Sequence, residues 1–266
     1  SMKVSELVQE VKDLYPNIRP STFKTWDKAT KPIIDFDVES IDKRTVRKLR
    51  VQLLQELGES TVVARLTTLR GIWEKAIEWE MIEGKNVFNK SHHGLEKANR
   101  ADAAVFRPWE FWEPYHEHPW FRILWYTGCR IHEVAALNPN NIVMNTDIPY
   151  IKFEHQPNRL LKNNASVRKV PLHPSCWDYV ERFKPCKAKE NHGHRWSWTM
   201  GCRVGLPNGH AAHDLRHAFT TQCRDVGIEE YMIDILTGHA KRSMTARYGQ
   251  THFHLLRDQL YKFEEH

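Results

Sequence analysis

No apolar run in this 266-residue chain approaches the ~20 residues a helix needs to cross a bilayer. The N-terminal stretch also lacks the pattern of a secretory leader, so a soluble protein is expected. Ser1 ahead of Met2 resembles a cloning scar, which puts the expected natural start further upstream. Cysteine is sparse: Cys129, Cys176, Cys186, Cys202 and Cys223 are odd in number and scattered, which excludes a disulfide scaffold and favours reduced thiols in a cytosol-like compartment. Cys186, His192, His194 and Cys202 could be imagined around zinc, but their spacing matches no standard paired-ligand pattern, and no metal is expected. Internal repeats and low-complexity segments are missing. So is a basic tail, because the net charge of +6 divides as +2 before residue 95 and +4 after it. With a pI near 9.0, that excess leans toward a polyanionic partner without requiring one.

What is present is helical patterning. "SELVQEVKDLYP" sets Val4, Leu7, Val11 and Leu14 on one face before Pro16. Residues 40–57 repeat the scheme with Ile41, Val46, Leu49, Leu53 and Leu57, and Gly58 is the expected C-cap. Ser60 is expected to open a third helix with a stripe of Val63, Leu66, Leu69, Trp73 and Ile77, ended by Gly84. These stripes predict a small helical bundle over 1–92. The stretch 93–106, polar and small, reads as a linker to a second domain over 107–266.

In the second domain, "WFRILWYTGCRIHEVAALNPNNI" predicts a buried helix broken at Thr127-Gly128 and a turn at Asn138-Pro139. "IPYIKFEH" and "SVRKVPLHP" have strand content and form a predicted hairpin through "QPNRLLKNNA". Helices resume at "SCWDYVERF", "HDLRHAFTTQCRDVG", "IEEYMIDILTG" and "FHLLRDQLYKF". The fold class is therefore mainly α with a small β-hairpin or sheet.

Several residues carry chemical interest. "LTGHAKRSMTARYGQ" surrounds Tyr248 with Lys241, Arg242 and Arg247, and cationic neighbours favour the phenolate over the phenol, whose ordinary pKa is about 10. His213 and Arg216 are three apart at a helix start, on one face near the positively polarised end, where a phosphate is well received. Arg130 lies in the most apolar segment of the second domain and needs an anion, which Glu133, three residues on, could supply as a structural ion pair. Lys162 sits in the hairpin loop. "DKRTVRKLR" gives the second helix a basic flank of Lys43, Arg44, Arg47, Lys48 and Arg50, either a solvated face or a DNA-facing one.

In the order Arg130, Lys162, His213-x-x-Arg216, Gly238-His239, Tyr248, the second domain resembles the tyrosine recombinases, the phage-integrase family. "TGCRIHEVAAL", "RKVPL", "HDLRHAFTT" and "LTGHAKRSMTARY" each align with a family block in the family's order. The first domain resembles that family's core-binding domain more loosely, and "GKNVFNK" lacks the Asn-Pro that often closes it. The resemblance implies Arg130 and Arg216 on the nonbridging oxygens of a scissile phosphate. Tyr248 is then the nucleophile that forms a 3′-phosphotyrosyl ester, Lys162 the general acid, and His213 and His239 acid-base and hydrogen-bonding partners. Lys152 on the preceding strand competes with Lys162, while His132 and His217 are expected to be neighbours without catalytic duty.

The same resemblance implies double-stranded DNA as partner, lying between the two domains. Lys43, Arg44, Arg47, Lys48, Lys241 and Arg242 are the candidate DNA contacts. It implies no cofactor, neither ATP nor metal, and a monomer in solution that becomes a homotetramer on paired sites. The last helix, with Leu255, Leu256, Leu260 and Phe263, would then pack either on its own domain or on a neighbour. A cytoplasmic, DNA-associated protein of a prokaryote, virus or mobile element fits this picture. A type IB topoisomerase, a chromosome-dimer resolvase of the same family, a DNA-binding protein without catalysis and a zinc nuclease are the alternatives. Supercoil relaxation, loss of a catalytic group, or inhibition by EDTA would separate the topoisomerase, the non-catalytic protein and the nuclease, respectively.

Overall fold

Helical periodicity places Val4, Leu7 and Val11 on the inner side of α1 (Val4–Asp13), all buried. Leu14 does not join them. It follows the last helical turn as the C-cap and is 58% exposed, because the chain leaves the helix one residue too early to carry the stripe on. The computed structural model describes residues 1–15, 18–89, 107–135, 137–156, 161, 164–185, 212–239 and 253–266. Two units divide the chain, Ser1–Ala101 and Asp102–His266, each with its own hydrophobic cluster.

In the first unit, α1 is followed by α2 (Pro20–Thr30), α3 (Lys43–Glu56) and α4 (Glu59–Glu78). Asp42 caps α3, its carboxylate accepting from the Thr45 amide at 2.7 Å. Val46, Leu49 and Leu53 are buried, and Lys43, Arg44, Arg47 and Lys48 lie on the exposed face. Gly58 is not a C-cap: with φ −65° it is the N-cap of α4, and Leu57 ends α3. The α4 stripe is also shifted from expectation, burying Val62, Leu66, Leu69, Ile72, Trp73 and Ala76 while Val63 and Ile77 are only half-buried. The helix stops at Trp79, five residues short of Gly84. Phe88 closes the cluster edge-on against Trp73, ring centroids 4.7 Å apart.

The second unit is arranged around α5 (Pro119–Thr127), whose Phe121, Ile123, Leu124, Trp125 and Tyr126 are all buried, so this short helix runs through the core itself. Gly128 ends it in the left-handed region at φ +59°, and α6 (Ile131–Ala135) follows. A three-stranded antiparallel sheet comes next, in the order β1 (Ile142–Val143), β2 (Tyr150–Phe153), β3 (Arg168–Pro171). The expected hairpin is β2–β3, with Phe153 opposite Arg168 and Lys152 opposite Lys169. A single helical turn α7 (Trp177–Val180), then α8 (Ala212–Asp225), α9 (Glu230–Thr237) and α10 (Phe253–Leu260) complete the unit.

α10 packs in cis. Leu256, Leu260 and Phe263 are buried in the second unit's cluster, with Phe263 beside Phe219 of α8. The chain after α10 is tied to α5 through Tyr126 Oη, which donates to the Glu264 carbonyl, and Arg122 Nη1, which donates to the His266 carbonyl.

Candidate active site

Two Thr-Gly helix ends frame one buried cation. Thr127 Oγ1 donates to the Ile123 carbonyl, and Thr237 Oγ1 does the same to Ile233, each bonding four residues back. Gly128 and Gly238 then turn the chain with φ +59° and +67°. Both positions demand glycine. A Cβ on Gly128 would stand 2.2 Å from the Phe219 ring, and one on Gly238 would meet the Ala165 carbonyl and Arg168 Nη1 at 3.0 Å.

Arg216, in the second turn of α8, reaches between these ends. Its Nη1 donates to the Gly128 carbonyl at 2.7 Å, and its Nη2 donates to the Thr237 carbonyl at 2.8 Å. Both acceptors are neutral. The guanidinium is 3% exposed, and burial, then repulsion from Arg130 and Arg168, pulls its pKa down to about 10. It stays charged at neutral pH, as a cation that lacks a carboxylate of its own among the described residues.

Nη2 of Arg216 also lies 3.2 Å from His239 Nε2. A guanidinium only donates, so Nε2 accepts and the imidazole proton sits on Nδ1. That nitrogen is 3.3 Å from Thr237 Oγ1, with Asp234 Oδ1 beyond it at 3.9 Å. His213, one turn before Arg216, is solvent-accessible and edge-on to His217 at 4.9 Å. Burial of part of its ring, then His217, Arg216 and Arg130, hold its pKa below the ordinary value against the opposing pull of Asp214. It is therefore neutral near pH 7 and able to accept a proton.

Arg130 follows the Gly128 turn. Its amide donates to Glu133 Oε2 at 2.7 Å, and its Nη1 contacts Glu133 Oε1 at 3.1 Å and Ser166 Oγ at 3.3 Å. The ion pair with Glu133 anticipated from spacing is present, yet it does not use up the cation. Glu133 is gripped across both oxygens by Arg168, at 3.1 and 3.0 Å, and among the described residues only Nη1 of Arg130 is engaged. Burial alone would raise the Glu133 pKa, but Arg168 and then Arg130 outweigh it and hold the carboxylate below its usual range. One carboxylate thus faces three guanidiniums, which leaves these four groups with a net charge of about +2.

Arg168 was not singled out by the sequence reading. Its signal was the alternation of β3: Arg168 shares the buried face with Val170, and Lys169 between them is exposed. The same register puts Lys152, paired with Lys169 and bridged to Glu154, on the opposite face of the sheet from Arg168. That separates Lys152 from the arginine cluster.

Arg130, His213, Arg216 and His239 are thus gathered at one place. Lys162, Lys241, Arg242 and Tyr248 lie outside the described residues, as do Cys186, His192, His194 and Cys202. Among the described residues, no group of three or more His, Cys, Asp or Glu side chains is placed to hold a metal ion, and no helix is long and apolar enough to cross a membrane.

No protein-family profile matches the chain, and no curated protein matches it in sequence. Solved structures do match in fold. The Tn1549 transposon integrase in complex with circular intermediate DNA aligns over 98% of this chain and 99% of its own, at TM-score 0.71 and 18% identity. A lambda integrase dimer on a COC′ core site aligns over 94% and 98%, at 0.61 and 14%. A lambda integrase tetramer bound to a Holliday junction covers 95% and 80%, at 0.61 and 13%. The fold is that of the tyrosine recombinases.

Proposed function

We propose that this chain, built on the tyrosine-recombinase fold, is a site-specific recombinase that cuts and rejoins duplex DNA through a covalent 3′-phosphotyrosyl intermediate. The observation that carries the reading is the net positive cluster of Arg130, Arg168 and Arg216 around a single carboxylate, with a neutral His213 beside it. A buried guanidinium held by neutral acceptors is unfavourable alone, and an incoming phosphodiester supplies the missing charge.

In this mechanism Arg130 and Arg216 take the nonbridging oxygens of the scissile phosphate, where negative charge grows during in-line attack. Tyr248 attacks phosphorus, His213 accepts its proton, and Lys162 protonates the departing 5′-oxygen, leaving a free 5′-hydroxyl. The phosphate remains an ester throughout, so resealing onto a different strand draws on neither ATP nor metal. His239, held beside Thr237 and Arg216, donates a hydrogen bond to the same phosphate.

The exposed row Lys43, Arg44, Arg47 and Lys48 on α3 provides phosphate contacts in the first domain, residues 1–92, and Lys241 and Arg242 provide them beside Tyr248. Exchange between two duplexes needs four cuts, so four protomers assemble on paired sites. The solved neighbours are integrases of a transposon and of lambda, which supports integration and excision of a mobile element as the biological setting.

The test starts with a duplex enriched from a random-sequence pool by binding to the full chain, then nicked to trap the product. Wild type is expected to give a denaturant-resistant protein–DNA adduct, and Tyr248→Phe to bind the duplex equally and give none. A wild type that forms no adduct, or a Phe variant that forms it normally, removes the proposal.

A further inference from the structure

Arg168 joins three separate parts of the site. Its Nη1 and Nη2 clasp both oxygens of Glu133 on α6, its Nε donates to the Leu236 carbonyl at 2.7 Å near the end of α9, and its Nη1 donates to the Ser166 carbonyl at 2.9 Å. Phe153 lies beneath the guanidinium at 4.5 Å and closes that side to water. Ser166, in the turn after the hairpin loop that carries Lys162, in turn receives Arg130 Nη1 on its hydroxyl. The backbone on which His239 depends also abuts this guanidinium, since a Cβ on Gly238 would sit 3.0 Å from Arg168 Nη1.

We propose that Arg168 is a positioning residue for the cleavage reaction: by taking both oxygens of Glu133, it leaves Arg130 directed to the scissile phosphate instead of locked to its own carboxylate. The inference rests on the recombinase reading above. Arg130 and Arg168 compete for one carboxylate. Glu133 is buried and must have a cation, and only Arg130 and Arg168 are in contact with it among the described residues. With Arg168 present, Arg130 gives one terminal nitrogen and keeps the rest of its fork. Without it, a desolvated carboxylate three residues away becomes the strongest anion Arg130 can find, and a guanidinium paired through both edges cannot also grip a phosphate.

The groups facing Glu133 are Arg130 before α6, Arg168 on β3, Arg216 on α8 and the buried Cys129 thiol, so its charge is governed by three cations. Replacing Arg168 by glutamine removes the largest attraction that keeps the carboxyl ionised. Its proton uptake then moves to higher pH, and lowering the pH frees Arg130.

Three forms are compared for single-turnover adduct formation on the selected nicked duplex, with duplex affinity and thermal melting measured in parallel: Arg168→Gln, the double variant Glu133→Gln/Arg168→Gln, and wild type. Arg168→Gln is expected to bind the duplex as wild type does and to cleave about tenfold or more slowly. Its deficit relative to wild type should narrow as pH falls from about 8 to 5.5. The double variant, with no carboxylate to capture Arg130, should recover most of the lost rate. A purely structural arginine would give neither the recovery nor the pH trend.

A wild-type rate in Arg168→Gln overturns the proposal, and so does a double variant that is folded, binds DNA and cleaves no faster than Arg168→Gln. If Arg168→Gln melts below the assay temperature, the double variant alone decides, because it leaves no carboxylate buried without a cation. Collapse of both would assign Arg168 to the core and overturn the proposal as well. Failure of wild type to form any tyrosyl adduct counts against the recombinase reading itself, and so stays distinct from failure of this inference.

Discussion

Arg216→Met separates what the site does for DNA from what it does for the fold. Pulling a guanidinium pKa down to about 10 corresponds to about 3 kcal/mol of unfavourable charge in the folded state. Removing the group abolishes that penalty. It also removes two charge-assisted hydrogen bonds, to the Gly128 and Thr237 carbonyls, each contributing about 1.5–3 kcal/mol. The methionine stem keeps much of the apolar contact. These opposing effects nearly cancel, and a net loss of about 2 kcal/mol, or about 4–8 °C in Tm, is expected. The cleavage rate should instead fall about 10²–10³-fold, because the lost contact strengthens as the transition state forms.

The assay pairs thermal melting with single-turnover adduct formation at saturating duplex. The sign of the pH dependence is also fixed. Arg216 is a base whose folded pKa lies below its unfolded value, so the penalty is fully present below about pH 10 and fades only as pH rises further toward the unfolded pKa. The difference in stability between wild type and variant should therefore be flat from about pH 5 to 9. An unchanged cleavage rate refutes the reasoning outright. A fall in Tm of more than about 20 °C refutes it in the other direction, since Arg216 would then be a strut of the core.

Lys162→Ala should slow cleavage of an ordinary duplex strongly but recover on one whose leaving 5′-oxygen is replaced by sulfur, because a thiolate of pKa about 8.5 departs unprotonated. Lys152→Ala, on the far face of β2 and tied to Glu154, should change the rate less than about twofold. A sulfur rescue seen with Lys152→Ala and not with Lys162→Ala would exchange their roles. Gly128→Ala forces a left-handed φ on alanine and drives a Cβ into Phe219, so a loss of about 2–4 kcal/mol by thermal melting is expected. Gly58→Ala, at negative φ and in open space, should move the Tm by less than about 2 °C, and an equal loss at both sites would discard the argument from close approach.

The helix stops of the second unit were legible because Thr-Gly is unambiguous punctuation, and the β2–β3 hairpin was legible because its strands alternate. α2 escaped notice for a physical reason. "PSTFKTWDKAT" buries only Ala29 and Thr30 and has no stripe to read. β1 is two residues long and exists only through its pairing with β2. The inner face of α4 keeps the expected Leu66, Leu69 and Trp73 and adds Val62, Ile72 and Ala76, while Val63 and Ile77 fall at its edges, because apolar residues stand side by side in this helix and the pattern does not say which of two neighbours faces inward. Arg168 was hidden by its own charge. A charged residue on a strand reads as surface, and only a buried carboxylate 35 positions away makes its inward direction favourable.

The two Thr-Gly ends explain how the fold tolerates a buried arginine. α5 and α9 both terminate at the Arg216 guanidinium, and a helix C-terminus carries partial negative charge on carbonyls that lack helical partners. The Gly128 and Thr237 carbonyls are two of these, so the cation also satisfies acceptors that would otherwise be orphaned in a dry interior. Partial charges attract the guanidinium without cancelling it. A carboxylate in the same place would neutralise Arg216 as Glu133 neutralises Arg168, and under the proposed function it would weaken the pull on a phosphate. Dipoles thus hold Arg216 and a full ion pair holds Arg168, and in the proposed mechanism the second arrangement leaves Arg130 available to the phosphate.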